Sequence, residues 1–173
     1  MSTRQFLQSA ADARNSTSEL LQFIFAAELL APSRCLWIVS PWLRDIPILD
    51  NTTGAFVSVC ADLPKSKVRF SRVLLELLQR GTRVVIATRP EDGNRQVRDV
   101  LADAPIAAEA FRFIERRELH AKGLVGDRFA LSGSMNFTYN GLENLEEMLL
   151  FQTERARVEE LRIVFRQQYG GLA

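Results

Sequence analysis

The stretch that decides the fold runs from His120 to Glu147 and reads HAKGLVGDRFALSGSMNFTYNGLENLEE. Two short apolar runs, Leu119 to Val125 and Phe129 to Ser132, flank Gly126-Asp127-Arg128, a trio with turn chemistry. They are expected to be strands joined in a hairpin. Side chains two residues apart on a strand share a face, so His120 and Lys122 would project together. An imidazole beside an ammonium suits a phosphate substrate: the lysine binds anionic oxygens, and the imidazole attacks phosphorus or moves a proton. Ala121 and Gly123 are small, which lets another element approach the opposite face. Gly133-Ser134-Met135-Asn136 leaves the second strand through a glycine and brings a hydroxyl, an amide and backbone N–H groups to the same strand ends. Those are the donors that a phosphoryl transition state needs. Glu146 or Glu147 opens a further expected strand, Glu146 to Gln152, where a carboxylate could fix the tautomer of an imidazole.

Outward from that hairpin, strands and helices alternate. Cys35 to Ser40 (CLWIVS) is a buried strand between Pro32 and Pro41. Val68 to Arg80 has apolar residues at 70, 73, 74, 77 and 78, a helical period, with Gly81 just past its end. Thr82 to Thr88 (TRVVIAT) follows as a strand. Arg95 to Ala104 is a helix, Ala110 to Glu115 a strand, and Glu154 to Tyr169 a terminal amphipathic helix. Near the start, Ser16-Thr17-Ser18-Glu19 has the spacing of a capping box before the apolar run Leu20 to Leu30. Between Asp45 and Pro64 the pattern is irregular, with room for a short strand at Ala55 to Cys60. Such alternation implies an α/β/α sandwich around a central, mostly parallel sheet, which the Asp127 hairpin makes mixed. No linker divides the chain, so residues 1–173 are read as one domain.

Composition narrows the chemistry. The 173 residues hold 47% apolar and 25% charged side chains, as a globular domain does. There is one histidine, His120, and three lysines among 22 basic residues. A metal site built on several histidines is thereby excluded, as is a two-histidine mechanism within one copy of the chain. No metal and no cofactor are expected. Cys35 and Cys60 match no metal-binding or redox spacing and are expected to be buried, reduced thiols. No run is long and apolar enough for a membrane span, and the opening Met-Ser-Thr-Arg-Gln-Phe does not resemble a secretory leader. A cytoplasmic protein without membrane contact is expected. Net charge is +1, but Pro64 to Arg98 carries nine basic residues against three acidic ones. Such a stretch can hold a phosphate backbone or be an ordinary solvated face.

The His120 segment resembles the HKD signature of the phospholipase D superfamily: H-x-K-x4-D, then G-S-x-N, then a glutamate. His120, Lys122 and Asp127 match it directly. Gly133, Ser134 and Asn136 match with one residue fewer after the aspartate, which implies a tighter hairpin turn. An N-x-E pattern selects Glu146 through Asn144, whereas ungapped counting from Ser134 selects Glu147; Glu146 is preferred. Ser40-Pro41-Trp42 is similar to the end of the family's early strand, beside the active site. The signature spans about 28 of the 173 residues.

The resemblance implies a phospholipase D-like sandwich and a shared site. Family members use two HKD motifs, one histidine attacking phosphorus and the other serving as acid, then base. A chain with one motif reaches two histidines by homodimerising about an axis through the active site. The implied catalytic residues are His120, Lys122, Ser134, Asn136 and Glu146, with Asp127 and Gly133 supporting them. Arg89 could clamp a phosphate or form a surface salt bridge, and Trp42 and Tyr139 could stack on a base or pack at the rim. The expected activity is a metal-independent phosphodiesterase, a homodimeric nuclease with DNA ahead of RNA, serving beside partner proteins of a bacterial DNA-modification or defence system. The alternatives are a nucleic-acid-binding scaffold with a weak HKD site and a lipid phosphodiesterase.

Overall fold

Strands β2 (Cys35–Val39) and β5 (Arg83–Thr88) lie parallel inside the sheet, each with a strand on either side, Cys35 opposite Arg83 and Val39 opposite Ala87. Strand β2 is apolar throughout, and β5 from Val84 to Ala87, because both faces are covered. On one face Leu36, Ile38, Val84 and Ile86 pack beneath helices α1 (Ala13–Leu30), α2 (Phe70–Gln79) and α3 (Asp92–Ala102). On the other, Cys35, Trp37, Val39 and Val85 pack with Val158 and Tyr169 of helix α4 (Arg155–Tyr169). Trp37 Nε1 also donates to Gly170 O at 2.8 Å, fastening the end of α4 to the sheet. The computed structural model describes residues 3–7, 13–138, 141 and 148–171.

The remaining strands are β1 (Thr3–Leu7), β3 (Pro47–Asp50), β4 (Lys67–Arg69), β6 (Phe111–Glu115), β7 (Gly123–Val125), β8 (Ala130–Gly133) and β9 (Met148–Gln152). The seven-stranded sheet runs β1-β9-β8-β7-β2-β5-β6, and β3 and β4 form a separate ribbon. The α/β/α sandwich and the mixed sheet agree with the sequence pattern. Parallel pairing, expected to dominate, is confined to the β2-β5-β6 edge; β7, β8, β9 and β1 join antiparallel.

Several elements depart from the pattern. Helix α1 begins at Ala13, so the capping-box spacing lies within it, and Thr17 is buried. The expected strand at Ala55 to Cys60 is a helical turn, with Cys60 N donating to Phe56 O at 2.8 Å. Helix α2 starts two residues late because Lys67–Arg69 pairs with β3. Helix α3 starts early, at Asp92. Both cysteines are buried and stand outside any disulfide. Among the described residues, no helix is long and apolar enough to cross a membrane.

The β7–β8 hairpin closes through Gly126 N to Phe129 O at 3.0 Å, and Asp127 faces the far end of the sheet from His120. Its carboxylate accepts from Arg34 N (3.1 Å) and Arg34 Nε (3.0 Å) and pairs with Arg162 at 2.9 Å. Its N–H donates to Ser33 Oγ (2.8 Å), whose hydroxyl donates to Glu28 (2.9 Å). One clasp thus ties α1, β2, the hairpin and α4 together. Asp127→Asn removes one of the two carboxylates paired with Arg162, a side chain only 10% exposed, and leaves it Glu159 alone, while Arg34 loses its counter-charge. A loss of about 2–4 kcal/mol in urea unfolding is expected, with an unchanged m-value.

Burial pushes the Glu28 carboxyl above its ordinary value of 4.5, against the lowering by hydrogen bonds from Ser33 and the charge of Arg128. A carboxyl with a raised folded-state pKa binds its proton more tightly folded than unfolded. Its stabilising contribution is complete below the ordinary value and is lost as pH rises through the raised one. The melting temperature of the wild type relative to Glu28→Gln should therefore fall as pH rises above the ordinary carboxyl value.

Candidate active site

Of the described residues that the sequence offered as chemistry, all but Asp127 gather at one end of the sheet. Strands β2 and β5 finish there, β7 begins there, and β8 ends where β9 begins. In α/β proteins this crevice at the carboxyl ends of the parallel strands is the usual ligand site. An open cleft of about 1150 Å³ lies there, lined by Trp42, His120, Lys122, Ser134, Asn136 and Met148 among others.

His120 and Lys122 were expected within a strand, but β7 begins only at Gly123. The cause is the neighbouring strand. The last β2–β7 pair is Val39 with Gly123, beyond which Ser40-Pro41 turns out of the sheet. Residues 119–122 then have no strand to pair with. Leu119 N closes a turn onto Arg116 O at 3.2 Å, Leu119 O accepts from Arg89 Nε at 2.8 Å, and Lys122 Nζ donates to His120 O at 2.8 Å. The overhang leaves the His120 side chain exposed at the cleft and Lys122 half-buried. Ala121 lines the cleft with them, whereas Gly123 is approached from the other face by Phe165 of α4: a Cβ there would lie 2.9 Å from its ring.

The segment after β8 alternates. Met135 and Phe137 point into the core, Phe137 stacking on Phe70 at 5.6 Å between centroids, while Ser134 and Asn136 face the cleft. Ser134 is fixed to β9 twice: its N donates to Met148 O (3.1 Å) and its Oγ accepts from Met148 N (3.0 Å). Asn136 Oδ1 lies 3.4 Å from the buried Ser40 Oγ, which also accepts from Phe137 N at 3.2 Å. Gly133 has φ +154°, and a Cβ there would collide with Met148 O. Glu146, Glu147 and Tyr139 lie outside the described residues. Among the described residues, no three His, Cys, Asp or Glu side chains cluster as a metal ion would require.

The profile of the "Cardiolipin synthase, PLD-like domain" family matches residues 50–169, well over half of the chain. The chain belongs to this PLD-like family. No curated protein sequence matches it. Among solved structures, NucT from Helicobacter pylori is similar over 96% of this chain and 94% of its own, with 13% identity and a TM-score of 0.57. Nuc from Salmonella typhimurium, a phospholipase D family member, is similar over 96% and 93%, with 12% identity and a TM-score of 0.58. Polyphosphate kinase from Porphyromonas gingivalis aligns with 99% of this chain but 26% of its own, at 12% identity and a TM-score of 0.62. At such identities the likeness is one of fold.

Two features of this PLD-like domain were not legible beforehand. Asn94, fully buried at the start of α3, donates to Pro41 O (2.9 Å), Thr88 Oγ1 (2.7 Å) and Arg89 O (2.9 Å) and accepts from Leu43 N (2.7 Å). It binds the loop carrying Trp42 to the end of β5. Its place in a polar Glu-Asp-Gly-Asn run is the one sequence signal that could have found it. The second is the fate of the basic stretch. Arg72 pairs with Glu76, Arg95 with Asp92 and Glu115, and Arg98 with Asp99, while Arg80 and Arg83 bind backbone carbonyls. Lys65, Lys67 and Arg69 are exposed around the β3–β4 ribbon. Of the nine cations only Arg89 stands beside the cleft, its guanidinium over the Trp42 ring at 5.1 Å. Among the described residues it forms no ion pair, so the surface salt bridge expected for it is replaced by the Leu119 carbonyl and an aromatic face.

Proposed function

We propose that the protein is a metal-independent phosphodiesterase, a nuclease that works as a homodimer with a shared active site. The observation that carries this is the overhang before β7, where His120 and Lys122 share a cleft with Ser134 and Asn136 in a chain that has one histidine. The imidazole of one His120 attacks phosphorus, forming an N–P bond as the bond to the leaving nucleoside oxygen breaks. That oxygen takes its proton from the partner subunit's His120, which enters as the imidazolium. Now neutral, the partner's imidazole removes a proton from water, and the resulting hydroxide attacks phosphorus. The N–P bond breaks, a phosphomonoester leaves, and both histidines return to their starting states.

Lys122 and Asn136 hold the non-bridging oxygens, and the Ser134 O–H, its oxygen already accepting from Met148 N, donates to one of them. Glu146, with Glu147 as the alternative, orients the imidazole. The open cleft favours an extended polymer over a single lipid headgroup, and DNA is the first substrate to test. The role suited to such an enzyme is cytoplasmic, beside the partner proteins of a DNA-modification or defence system, with residues 1–173 acting as one domain.

Single-turnover incubation with end-labelled DNA in EDTA, quenched under alkaline conditions, tests the chemistry. An acid-labile phosphoryl adduct on His120 and cleavage insensitive to EDTA are expected. Loss of cleavage in EDTA, or DNA binding with neither adduct nor product, would count against it.

A further inference from the structure

The cleft rim carries a pair that the hydrolytic steps leave unused. Trp42 lines the cleft with 37% of its surface exposed, and the Arg89 guanidinium covers part of its ring from 5.1 Å. Neither residue is loosely held. Trp42 O accepts from Ser40 Oγ at 2.7 Å, and Asn94 ties the carbonyls of Pro41 and Arg89 together. Arg89 Nε is committed to Leu119 O, the carbonyl immediately before His120. A part-exposed indole on a fixed stretch of backbone, backed by a cation that forms no ion pair among the described residues, is a stacking platform rather than packing filler.

We propose that Trp42 and Arg89 form a nucleobase-stacking subsite for an unpaired base of the DNA strand being cleaved, a proposal that rests on the nuclease reading above. Aromatic side chains stack on any base whose face is open, and a neighbouring guanidinium adds to the attraction. In a duplex both faces of a base are already covered by its neighbours. The subsite therefore selects single-stranded or locally unwound DNA. Because Arg89 also holds Leu119 O, a base seated on Trp42 steadies the residue that leads into His120.

The test compares two single-stranded oligonucleotides of equal length, one with bases throughout and one abasic around the cleavable phosphate. Each is cleaved by the wild type, Trp42→Phe and Trp42→Leu. For the wild type, KM should be roughly tenfold lower on the base-bearing strand. Trp42→Phe should keep most of that ratio, and Trp42→Leu should bring it near one. A ratio unchanged in Trp42→Leu overturns the proposal, as does equal KM on duplex and single strand for the wild type. A second arm needs no turnover. Single-stranded DNA should quench tryptophan fluorescence in the wild type and not in Trp42→Phe, whose remaining tryptophan, Trp37, is buried. Quenching without any cleavage would retain the subsite and reject the nuclease reading. Cleavage without quenching would retain the nuclease reading and reject the subsite.

Discussion

Replacing His120 with alanine is expected to lower DNA cleavage by at least roughly 10⁴-fold, the scale seen when a nucleophile that acts as part of a unit is removed. On the dimer reading the substitution removes both histidines at once, one as nucleophile and one as acid and base. Because the two act as a unit, the loss is that of the whole unit rather than the sum of two separate losses. Folding should be nearly untouched. The His120 side chain is exposed, and the Lys122 ammonium is held by the backbone carbonyl at 120, which alanine retains. Circular dichroism and a melting curve matching the wild type would accompany the activity loss. Cleavage at more than about a hundredth of the wild-type rate would mean that another group attacks phosphorus.

Gly133→Ala should be the most damaging single-methyl change near the site. The backbone at 133 sits at φ +154°, and the added Cβ would collide with Met148 O and approach Leu149 Cα to 3.1 Å. Both are backbone atoms of β9, so no side chain can swing aside. Relief requires opening the Gly133–Leu149 rung and the Ser134 N to Met148 O bond, which aim Ser134 and Asn136 into the cleft. We expect a loss of about 3 kcal/mol or more in denaturant unfolding. Activity at a temperature where the variant remains folded should fall by a further roughly 10²-fold, the cost of misplacing groups by about an ångström. A variant as stable and active as the wild type would mean that β8 and β9 are not clamped together at the cleft.

Much of this architecture is written locally in the sequence. CLWIV and the VVIA of β5 are apolar because they lie between two helical layers, and the period of α2 marks its buried face. What escaped depends on partners far away in the chain. Nothing in Thr3–Leu7 announces a strand until β9 offers it an edge. The Leu119–Lys122 stretch has a strand's composition but loses its neighbour when Pro41 turns β2 away. The position of His120 and Lys122 two residues apart was readable, yet what places them at the cleft is an overhang rather than a shared strand face. Asp127 matches the family signature as well as His120 does, but its role in the clasp depends on Arg34 and Arg162, which no spacing connects to it. The basic stretch left two readings open, and its charges are mostly engaged by neighbours that only folding brings close.

The central claim is that one histidine per chain suffices because two chains build each site. Sedimentation velocity of the cleaving protein, with activity assayed across the boundary, tests it most directly. The account predicts that cleavage travels with a species of twice the chain mass and disappears on dilution below the dissociation constant of the dimer. Full activity travelling with the monomer would contradict it.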